Sequence, residues 1–174
     1  FDVEVVRKEF FNNYLDLYIR LYREIIKDIE FKNNLKNQGI DLVSFTKTLL
    51  WKIVFLYFIQ KKGWLWVKVD WSYGKDGNKD FMRSLWDDFT KNDHKTVWEK
   101  TGYFYNDYLE HLFYEWLNKD NRDNNDLNDY FNFRVPYLNW GLFKKDYENW
   151  NINRAKISND IFSNDYKTWI LDIF

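Results

Sequence analysis

Few residues of this chain have the type and spacing that chemistry requires. A nucleophile needs a base placed beside it, and the two histidines, His94 and His111, stand in no serine-hydrolase or zinc-helix spacing, so each reads as an ordinary surface or helix-face residue. Asp165-Tyr166-Lys167 has the carboxylate-x-lysine spacing of metal-dependent nucleases. With 27 acidic and 26 basic residues in the chain, chance supplies such a triplet, and no upstream partner acid is identifiable. The pairs Asp87/Asp88 and Asp120/Asp123 could be written into an acid-base scheme, yet each lies in a polar stretch where solvated charge is the ordinary outcome. Tyr73-Gly74-Lys75-Asp76-Gly77-Asn78 lacks the following Lys-Ser or Lys-Thr of a phosphate loop and reads as turns. No catalytic, cofactor-binding or metal-ligating residue is assigned. Lys47, Lys52, Lys61, Lys62 and Lys68 form the one basic concentration, a candidate phosphate-contacting surface to be weighed against a solvated helix face.

The element that must carry those lysines is the densest apolar run, Leu49 to Trp64. Asp41 stands as an N-cap, with Ile40 and Phe45 placed for a hydrophobic staple, and Gly63 follows two lysines where a left-handed C-cap belongs. Leu42, Phe45, Leu49, Ile53 and Leu56 recur at steps of three and four, and Val54, Phe55, Tyr57 and Phe58 make the second half apolar nearly all round, so neighbours must cover it. Lys47 and Lys52 interrupt it as a membrane span, leaving an uninterrupted part well short of the roughly 18 to 20 residues a bilayer needs; no membrane partner is expected.

Around it, Asp2 is placed to cap a first helix with apolar positions Val3, Val6, Phe10, Tyr14, Leu17, Leu21, Ile25 and Ile29, antiparallel to the central one and ending near Glu30, with a polar loop from Asn33-Asn34 through Gly39. Trp66, Val67 and Val69 suggest a short extended piece. Asp80 is placed to cap a helix ending near Lys91-Asn92, and another begins near Asn106 with Leu109, Leu112, Phe113 and Trp116 inward. Asp120 to Asp129 reads as an exposed loop, Pro136 opens a compact apolar turn through Phe143, and a last helix is expected from Ser163 or Asn164 to Phe174. The expected fold is mainly α: an irregular helical bundle around one buried helix, with a short extended or turn segment near 64–79, in a single domain over 1–174.

Composition sets outer bounds. Aromatic residues are 22% of the 174, ten of them Trp, so the core can be large although small aliphatics are sparse. A formal net charge of −1 removes any whole-surface attraction to nucleic acid or anionic membrane and leaves only local patches. The absence of cysteine excludes disulfide and thiolate chemistry and allows a reducing cytosol. A chain opening on Phe1, with no signal pattern, reads as a piece of a longer one.

Taken in order, several blocks resemble the helical region that follows the nuclease in Type IIG restriction-modification enzymes, single chains joining a DNA endonuclease to an adenine-specific DNA methyltransferase. They are Phe1-Asp2-Val3-Glu4 with Phe10-Phe11; Leu49-Leu50 to Phe58 with Gln60-Lys61-Lys62-Gly63-Trp64; Gly77 to Met82 with Leu85-Trp86; Tyr105 to Phe113; Val135 to Phe143; and Ile157 to Phe162. The resemblance covers nearly the whole chain but not the family's active sites: its Asn-Pro-Pro-Tyr type motif and glycine-rich cofactor loop have no counterpart here. Trp140 stands where the family has the first Gly of a Leu-Asn-Gly-Gly-Leu-Phe block. The resemblance therefore implies a non-catalytic helical connector that positions flanking nuclease and methyltransferase domains on double-stranded DNA in the cytoplasm, with Lys47, Lys52, Lys61, Lys62 and Lys68 touching phosphates. S-adenosylmethionine and Mg are then expected only in the flanking domains. The alternative is an independent helical protein-interaction module that binds through exposed aromatics.

Overall fold

The computed structural model describes residues 3–67, 77–91, 100–118, 127–128, 133–138, 141–150 and 155–162. Asp2, Lys68, Val69, Tyr73 to Asp76, His94, Asp120, Asp123, Trp140, Asp165 to Lys167 and the expected last helix lie outside the described residues.

The protein is mainly α, built on the central helix. Asp41 is extended and its carboxylate accepts the Ser44 amide at 2.8 Å and the Ser44 hydroxyl at 2.9 Å. Those bonds hold Asp41 below the usual carboxylate pKa, with the Ser44 amide the largest cause. The helix runs over Leu42–Lys61; we number it α3, after α1 (Val3–Lys27) and α2 (Ile29–Asn37). At its end Gly63 takes φ +71°, and the Gly63 and Trp64 amides turn back to the carbonyls of Gln60 and Ile59. Leu49, Leu50, Ile53 and Leu56 are wholly buried, which makes α3 the axis of the core. It is long and apolar enough to cross a bilayer, but half of that stretch is buried within the protein, and the lysine at its middle is ion-paired there.

Leu17, Leu21 and Ile25 seat the second half of α1 in this core, and the Tyr14 ring lies 5.5 Å from that of Trp51. The first helix stops earlier than expected. Asp28 leaves the helical conformation and caps α2 by accepting the Phe31 amide at 3.0 Å, so Ile29 turns outward and the polar stretch expected as a loop is helical through Asn37. A short acidic side chain competing for a backbone amide decides this break, and apolar periodicity alone does not register it. From α2, Phe31 packs edge-on against Phe45 and Tyr147.

Helix α4 (Phe81–Lys91) is tied to α3 at its start: the buried Gln60 side chain accepts the Met82 amide at 2.9 Å, the role expected of Asp80. Just before it Gly77 lies so close to Gly63 that a Cβ would stand 2.3 Å from the Gly63 carbonyl oxygen. A continuous helical run over 104–116, α5, is wound with the wider π pitch at Tyr105–Leu109 and Leu112–Trp116. Asp107 closes its beginning by accepting the amides of Thr101 and Gly102 at 2.8 and 2.9 Å and the Thr101 hydroxyl at 2.7 Å. Leu109, Leu112 and Phe113 are buried, as the spacing predicts, while Trp116 is half-buried and packs against the core from its edge. Within the stretch expected as an exposed loop, Leu127–Asn128 instead pairs antiparallel with Phe133–Arg134.

Candidate functional site

The side chains able to do chemistry gather where α3, α5 and the segment 141–150 meet. Lys52, in the middle of α3, is wholly buried, and its Nζ stands 2.5 Å from Asp146 Oδ2 and 3.3 Å from the Lys144 carbonyl. The same ammonium lies 5.2 and 4.8 Å from the ring centres of Phe113 and Tyr114. Tyr114 donates its hydroxyl to Asp146 at 2.7 Å. One turn earlier, Glu110 accepts the Tyr147 hydroxyl on one oxygen and the Asn106 amide at 2.9 Å on the other. The π pitch of α5 stacks Tyr105, Glu110 and Tyr114 more nearly in line than an α-helix would. The Tyr105 hydroxyl lies beside those of Tyr114 and Tyr147 without a regular hydrogen bond.

Burial sets the electrostatics. Desolvation lowers the Lys52 pKa, opposed by Asp146 and then by Glu110, while desolvation followed by the neighbouring hydroxyls and carboxylates pushes Tyr105, Tyr114 and Tyr147 well above 10. Tyr105, Asn106, Glu110 and Tyr147 are at most 3% exposed. A substrate would have to displace core to reach them, so the arrangement is suited to locking α3, α5 and 141–150 together. Among the described residues no three His, Cys, Asp or Glu side chains gather as a metal site would require.

A different face of α3 meets solvent. Between Asp41 and Asp70 the chain carries five lysines and no acid. Lys47, Lys61 and Lys62 are exposed, as are Trp51 (52%) and Phe58 (57%), and Lys62 Nζ rests 5.6 Å from the Phe58 ring centre. At 100° per residue, Lys47, Trp51, Phe58 and Lys62 fall on one side of the helix, spread over about 22 Å.

Of the five lysines expected on a phosphate-contacting surface, the structure thus places Lys47, Lys61 and Lys62 outside. Lys52 is corrected: with its ammonium closed inside by Asp146, it has no reach to a phosphate. Asp88, expected to be solvated, is buried and accepts the Tyr108 hydroxyl at 2.6 Å. His111 sits on α5 with Nδ1 2.8 Å from Glu115, its ring edge-on to Trp150. The partners of Lys52 escaped the sequence reading. A lysine amid apolar residues implies a buried acceptor somewhere, but Asp146 lies 94 positions away, and nothing local singles it out.

Compared with known proteins, the chain matches no family model, no curated protein and no solved structure.

Proposed function

We propose that this chain is a non-catalytic helical connector of a restriction-modification adenine-specific DNA methyltransferase, seating flanking nuclease and methyltransferase domains and touching duplex phosphates through Lys47, Lys61 and Lys62. The observation that carries the reading is the exposed first half of α1. Every described residue from Glu4 to Asn12 is exposed, including Val5, Val6, Phe10 and Phe11, and a solvated helix gains nothing from such rings unless a neighbouring domain covers them. The same apolar stretch would serve an independent helical protein-interaction module, the competing reading. The acid-free lysine face of α3 supports the DNA side of the first.

Binding of the 174-residue chain to several labelled duplexes, followed by fluorescence anisotropy against salt, tests it. Three phosphate contacts give a slope of log K against log salt of about −2.7, the same for every sequence. Lys61→Glu with Lys62→Glu should bring it to about −0.9 or abolish binding. Sequence-specific binding, methylation or nicking by the chain alone, or no duplex binding at low salt, would overturn the proposal.

A further inference from the structure

We infer that the Lys47–Trp51–Phe58–Lys62 face of α3 binds single-stranded nucleic acid, the lysines taking phosphates and the two rings stacking on unpaired bases. The inference rests on the nucleic-acid reading of this face and goes beyond it, because contacts to a duplex backbone use lysines alone and leave the rings unexplained. Trp51 and Phe58 are more than half exposed on a helix whose Leu49, Leu50, Ile53 and Leu56 are wholly buried, so they are surplus to the core. They lie seven residues apart, about 10.5 Å along the axis, far enough for each to take a separate base. Lysines bracket them: Lys47 one turn before Trp51, and Lys62 one turn after Phe58 with its ammonium beside that ring. With no acid between Asp41 and Asp70, nothing on this segment repels a phosphate chain laid along it. Stacking tolerates any base, and cations flanking flat rings on one narrow strip are the chemistry of sequence-independent single-strand binding. A membrane-surface helix instead separates its charged and apolar faces, and here the two share one strip.

The experiment compares the 174-residue chain with two double variants, Trp51→Ala/Phe58→Ala and Trp51→Leu/Phe58→Leu. The second keeps apolar bulk against Tyr14, beside Trp51, and against Phe55, whose ring lies 6.1 Å from that of Phe58, while removing the flat faces; circular dichroism checks that it folds. Anisotropy is read at low salt on a labelled 20-nucleotide oligo(dT) and on a labelled 20-base-pair duplex, and binding to anionic vesicles is read by co-sedimentation. The expected result is that both variants lose about tenfold or more on oligo(dT) and less than twofold on duplex, with no vesicle binding. Duplex binding with no oligo(dT) binding, or with oligo(dT) binding untouched in the leucine variant, overturns this inference and leaves the duplex reading standing. Absence of binding to either nucleic acid, or binding to vesicles alone, overturns both.

Discussion

Replacing Asp146 by Asn leaves the Lys52 ammonium buried without a counter-charge while hardly changing shape. Two interactions are lost or weakened: the ion pair at 2.5 Å and the Tyr114 hydroxyl bond at 2.7 Å. Bonds to charged groups are worth about 1.5 to 3 kcal/mol each, and breaking a buried pair from one side typically costs about 3 to 5 kcal/mol. Asp146 retains 13% side-chain exposure, so water relieves part of the loss, and about 3 kcal/mol is the expected cost. Chain length converts that to a fall in Tm of about 10 °C. The informative companion is Lys52→Met with Asp146→Asn. It removes the stranded charge and places a thioether between the Phe113 and Tyr114 rings, now 5.2 and 4.8 Å from the ammonium. The double variant should stand within about 1 kcal/mol of the parent, well above the single. Denaturant midpoints read by circular dichroism decide it. An Asp146→Asn protein within about 1 kcal/mol of the parent, or a double variant no more stable than the single, would refute the claim that burial of Lys52 depends on this partner.

Three further outcomes are expected. Gly77→Ala should cost about 1 to 3 kcal/mol by denaturant midpoint, because the new Cβ meets backbone at Gly63 that must move aside; an unchanged midpoint would contradict the close approach. Asp28→Ala should lose about 1 to 2 kcal/mol and some helical ellipticity, since this carboxylate both caps α2 and accepts the Lys156 amide at 2.8 Å; no loss would put the helix break elsewhere. Stability should fall as pH rises above about 10. Tyr105, Tyr114 and Tyr147 have raised folded pKa values, so their contribution is complete below the unfolded value near 10 and is lost above it, up to about 1.4 kcal/mol per pH unit for each phenol. Lys52, with its folded pKa lowered, works the other way only until its unfolded value of 10.5, where its penalty ends. Urea midpoints from pH 8 to 11.5 check the sign, and a flat profile would count against burial of the phenols.

By itself the sequence determined the centre of the protein. Asp41, the spacing of Leu49, Ile53 and Leu56, and Gly63 are local signals, and caps and apolar periodicity act within a few residues, so the start, inward face and end of α3 were legible without any tertiary contact. The apolar spacing of α5 was legible for the same reason at Leu109, Leu112 and Phe113, whereas the start of α4 is tied by the distant Gln60 side chain. The tertiary structure alone decided which polar groups are inside. Lys52 and Lys47 are the same residue type on one helix, yet one is sealed against Asp146 and the other meets water, because α5 and the distant 141–150 segment pack over that side of α3. The polar bonds of the π-wound α5 belong to the same class: Tyr114 meets Asp146 and Glu110 meets Tyr147, and partners 32 and 37 positions away leave no local trace in the sequence.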